Sequence, residues 1–292
     1  MNILQKWAMK ATPEAFRVFI PYVSPSSLHV VHGTEVLKKA VEIARNTMAG
    51  PKQEPSSNFS PEMKASLKSA GIQLSVALPG PSLGSRLRLD SFAGLSAGLS
   101  ADLSAGLTAE TRREIGRRIL IVYFTTLKYS TFYYLDLQLE HFHWSETDQT
   151  LTFSPSNFGF VPSEDFREKL LKLYHGFYFN DSQATSAGVS LYAWKTKVKD
   201  GFSGRMETLL RKHFGESLNQ AQNETLVSFS IEHFKSSFHA VFEEAQSSDA
   251  KFHPELTFVG VMLVTLYLSL EALGEKYPVN EVYYSIFQRE EN

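Results

Sequence analysis

Residues 107–160 read LTAETRREIGRRILIVYFTTLKYSTFYYLDLQLEHFHWSETDQTLTFSPSNFGF, and the fold turns on how this stretch divides. Thr108 stands where a helix cap belongs. Its hydroxyl can take a backbone N–H of the first turn, and Glu110 sets negative charge at the positive end of the helix. Ile115, Ile119, Leu120, Tyr123 and Leu127 then recur at helical spacing, which predicts a long helix with an apolar side. Arg112, Arg113, Arg117 and Arg118 make another side basic, and a solvated face is expected there. Two short apolar runs follow, Phe142-His143-Trp144 and Leu151-Thr152-Phe153. The polar residues 145–150 between them predict a β-hairpin.

Beyond Ser163 the pattern is helical over 164–179, 183–198, 205–214, 226–245 and 255–273, with breaks at Gly176, Gly201, Gly204, Pro254 and 274–278. The apolar run 258–270 is shorter than the roughly 20 residues a bilayer requires, so it predicts a buried helix. Ahead of residue 108, Val36, Leu37, Ala40, Val41 and Ala44 predict a helix within 30–48, closed by Gly50-Pro51. Residues 72–78 alternate apolar with small or polar side chains and end at Pro79, which predicts a strand. The rest of 51–108 is rich in Pro, Gly and Ser and reads as loop or linker. It contains a four-residue repeat, Leu95-Ser-Ala-Gly to Leu107-Thr-Ala-Glu, of low complexity. The expected organisation is a helical segment of unknown role over 1–70, a linker over 71–107 and a helical domain over 108–292.

Composition removes several chemistries. With 29 Lys+Arg against 31 Asp+Glu in 292 residues, there is no electrostatic case for a nucleic-acid partner. The absence of cysteine excludes disulfides, thiolate metal sites and Cys nucleophiles. No Gly-x-Ser-x-Gly elbow supports hydrolase chemistry. His141 and His143 would share a strand face, but Glu140 alternates away from them, so no metal site is expected.

The helix opened by Leu107–Gly116, then Asp136, the hairpin and Asn157-Phe158-Gly159, occur in an order that resembles the UbiB/AarF atypical kinases, the family linked to coenzyme Q biosynthesis. The helix Phe166–Gly176 and the His253-Pro254-Glu255-Leu256 entry to an apolar helix extend the resemblance over about residues 107–290. It implies a mainly α fold, a protein-kinase-like C-lobe that is helical with a small β-hairpin, and an N-lobe that is reduced or absent. Asp136 would correspond to the catalytic-loop Asp. Asn157 stands where that family carries the Asp of Asp-Phe-Gly, and His141, five residues after Asp136, stands where it carries the loop Asn. Phosphoryl transfer uses those two positions to hold Mg²⁺ through oxygen. A neutral amide and an imidazole are poor replacements. The family's Lys-x-Gly-Gln signature, its Ala-rich nucleotide loop and a Val-Ala-x-Lys strand are not found in residues 1–106.

The resemblance therefore implies a pseudokinase, with Asp136 as the remnant of a catalytic residue and His141 and Asn157 as degenerate metal-ligand positions. No cofactor or metal is expected beyond weak ATP and Mg²⁺ binding. The role implied is binding or scaffolding near quinone or isoprenoid-lipid metabolism. The partner would be an isoprenoid lipid, a membrane surface or a protein, and not nucleic acid. Two other readings stay open: an active, divergent small-molecule kinase or ATPase that recruits Glu140 for metal, and a helical interaction module unrelated to kinases. Met1–Tyr22 lacks an apolar signal core, so a mitochondrial or cytoplasmic location is expected, with no secretory signal and no transmembrane helix.

Overall fold

The computed structural model describes residues 30–48, 59–76, 82–83, 107–215 and 226–288. Over these residues the chain is mainly helical with small sheets, as the sequence predicts at that level. In chain order the elements are α1 (Gly33–Met48), α2 (Pro61–Ser69), β1 (Ile72–Leu74), α3 (Ala109–Tyr129), β2 (Tyr133–Tyr134), β3 (Phe142–Ser145), β4 (Thr150–Phe153) and β5 (Gly159–Phe160). They continue with α4 (Glu164–Tyr178), α5 (Ser182–Val189), α6 (Phe202–Gly215), β6 (Val227–Ser228), α7 (Ile231–Ser247), α8 (Leu256–Leu273), β7 (Lys276–Tyr277) and α9 (Val279–Phe287). The Leu-Ser-Ala repeat lies outside the described residues.

Helix α3 starts where its cap dictates, with the Thr108 hydroxyl accepting from Thr111 N at 3.1 Å. Its apolar positions are buried, Ile115, Ile119 and Leu127 completely. The hairpin forms as expected, β3 antiparallel to β4, and β1 joins β4 in parallel through Ile72↔Leu151 and Leu74↔Phe153. Helix α8 is the apolar centre. It runs 18 residues with a mean hydropathy of 1.9, long and apolar enough to cross a membrane by composition, yet two-thirds of it is buried inside this fold.

Three sequence expectations are corrected. Within the Pro-rich stretch read as loop, residues 61–69 form α2. The Ser60 side chain caps it, Pro61 sits in its first turn, and Met63 and Leu67, one helical turn apart, are fully buried. Residues 183–198 do not make one helix: α5 ends at Val189 and tightens into a 3₁₀ turn over Ser190–Ala193. Residues 226–230 are not helical, because Val227 and Ser228 pair with Tyr277 and Lys276.

The basic face of α3 is also less solvated than expected. Arg112 donates to Glu275 Oε1 at 2.8 Å and to the Leu107 carbonyl at 3.0 Å. Arg118 has a side chain only 12% exposed; it bonds Glu114 at 2.7 Å, reaches the Gly71 carbonyl and stacks 5.0 Å over the Trp144 ring. A guanidinium offers several donors in one plane, and here that fork ties α3 to β1 and to the hairpin turn. Elsewhere, Glu255 accepts from both the N–H and the hydroxyl of Ser163, at 3.0 and 3.2 Å. That contact links the start of α4 to the start of α8.

Candidate functional site: the Asp136 loop

The segment between β2 and β3 carries Asp136 and His141, and the segment between β4 and β5 carries Asn157. Strand β2 pairs antiparallel with β5 in the register Tyr133↔Phe160 and Tyr134↔Gly159. One residue further, Leu135 N donates to the Phe158 carbonyl at 3.0 Å. This strand pair spans the whole hairpin and ends one residue short of Asp136 on one side and of Asn157 on the other. Gly159 is required for it: a Cβ there would lie 2.3 Å from the Tyr133 carbonyl oxygen and from the Phe132 ring.

Past Leu135 the chain leaves the ladder, and its backbone groups need other partners. Helix α8 supplies them. Thr265 Oγ1 donates to the Leu135 carbonyl at 2.9 Å and accepts from Leu137 N at 3.1 Å. Ser269 Oγ donates to the Leu137 carbonyl at 2.8 Å. Thr265 and Ser269 are four residues apart, so both hydroxyls emerge from one face of an otherwise apolar helix. Leu135, Leu137 and Leu139 point into the core, while Asp136, Gln138 and Glu140 stay half-exposed. This alternation presents Asp136 at the surface of a buried loop.

Asp136 does not stand alone. Its Oδ2 lies 3.0 Å from His141 Nε2, and its Oδ1 accepts from Gln138 N at 3.2 Å. The 3₁₀ turn Leu139–His141 curls the chain back so that a residue five positions on can reach the carboxylate. The His141 carbonyl also accepts from Ser154 N at 2.9 Å, which ties the turn to the end of β4. Burial favours the neutral ring, but the hydrogen bond and charge of Asp136 outweigh it, and the pKa of His141 is raised above its ordinary 6.5. The loop therefore holds a partly exposed His141–carboxylate pair in which Asp136 favours the protonated ring.

The shared strand face expected of His141 and His143 does not form, because His141 ends the 3₁₀ turn and β3 begins only at Phe142. Among the described residues, no group of three or more His, Asp and Glu side chains is arranged to hold a metal ion. His253, at the entry to α8, is a different kind of histidine. It packs 4.9 Å from the Phe166 ring and 4.7 Å from the Trp194 ring, and burial pushes its pKa down to about 4.

The sequence singles out Asp136, His141 and Asn157 but not Thr265 and Ser269, the residues that shape the loop. Two hydroxyls at helical spacing within an apolar run were the available signal, since a buried hydroxyl has to find a partner. No protein-family model matches the chain, and comparison with curated proteins finds no match.

Proposed function

We propose that the chain is a binding protein on a kinase-like C-lobe scaffold, in which the Asp136 loop has become structural and phosphoryl transfer has been lost. The observation that carries this reading is the 3.0 Å contact between Asp136 and His141. The order α3, β2, loop, β3–β4 hairpin, β5, α4 is the order expected of such a lobe, with a catalytic loop and a metal-binding loop flanking a hairpin. The Leu135–Phe158 bond adds support by drawing those two loops together.

Phosphoryl transfer asks three things of this corner: a carboxylate free to accept a hydroxyl proton, and two oxygen ligands for Mg²⁺. Asp136 has one oxygen on the His141 ring and the other on a backbone N–H. At the two ligand positions, Asn157 brings no negative charge, and His141 brings nitrogen already committed to Asp136. What remains is a loop held by α8 that presents a half-exposed Asp136–His141 pair, which suits recognition of a partner better than turnover.

The experiment is a direct one. Purified protein is titrated with ATP, with and without Mg²⁺, and assayed for ATP hydrolysis alongside Asp136→Ala. The expected result is at most weak nucleotide binding and no hydrolysis above background in either protein. Mg²⁺-dependent hydrolysis that disappears in Asp136→Ala would overturn the reading in favour of an active enzyme.

A further inference from the structure

We draw no further inference here: the strongest candidate, the half-buried aromatic surface patch at Trp194 between α5 and α6, with the buried His253 ring edge-on at 4.7 Å, carries nothing, because the Lys195 ammonium 4.2 Å over the Trp194 ring already takes that face and nothing in the structure shows what would cover the rest.

Discussion

Helix α8 serves two regions of the molecule in opposite ways. On one face, Thr265 and Ser269 give the backbone of the Asp136 loop the partners it lost on leaving the β2–β5 ladder. On another, Leu263 and Tyr267 line a small apolar cavity beside Asn280, whose buried Oδ1 has no partner. The loop is a satisfied polar network inside an apolar core; the cavity is an apolar space beside an unpaired polar group, Asn280 Oδ1. A network whose members are all paired is rigid and costly to disturb. An unpaired group is already a cost to the folded state, so removing it should be cheap.

Mutations can break this contrast. The largest effect is expected at Gly159, where a methyl would run into the Tyr133 carbonyl and the Phe132 ring. Gly159→Ala should lose about 3 kcal/mol in urea denaturation, because backbone has to move and the strand pair that joins the two loops has to open. A loss under about 0.5 kcal/mol would show that β2–β5 does not hold the site. Thr265→Val comes next. It leaves the Leu135 carbonyl and Leu137 N–H buried without their partner, and should cost about 2 kcal/mol. Amide exchange at Leu137 should speed up with it. Asn280→Leu should change stability by less than about 0.5 kcal/mol, or raise it, since it removes an unpaired group. If Thr265→Val proves neutral and Asn280→Leu costly, the assignment of satisfied and unsatisfied sides is reversed.

Protonation separates two histidines in the same way. His141 has its folded pKa raised by Asp136, so its contribution to stability is full below about 6.5 and is lost as pH rises through the folded value. His253 is depressed by burial to about 4, so it favours the fold above about 6.5, and that support is lost as pH falls toward 4. In an NMR titration, Asp136→Asn should lower the pKa of His141 and leave that of His253 in place. No movement of His141 would mean that the ion pair does not form in solution.

Much of the loop's neighbourhood is legible in the sequence because the signals are local. Thr108 and Glu110 announce α3, and the polar residues between Trp144 and Leu151 announce the hairpin. Helix α2 carried the same kind of local signal in Ser60, Pro61 and the Met63–Leu67 pair, but it sits in a Pro- and Ser-rich stretch whose composition reads as loop. What no local pattern reveals is pairing over distance. Thr265 meets Leu135 across 130 residues, and Arg118 leaves its expected solvated face for the Gly71 carbonyl 47 residues away. The ion pair itself was half visible: Asp136 and His141 were recognised as positions, but only the 3₁₀ turn between them brings them into contact.

The proposal that this contact stands where phosphoryl-transfer chemistry once was is tested most directly by ATP hydrolysis. With Mg²⁺ and ATP, the wild type and Asp136→Ala are expected to show the same background rate. A wild-type rate well above background, abolished in Asp136→Ala, would contradict the account.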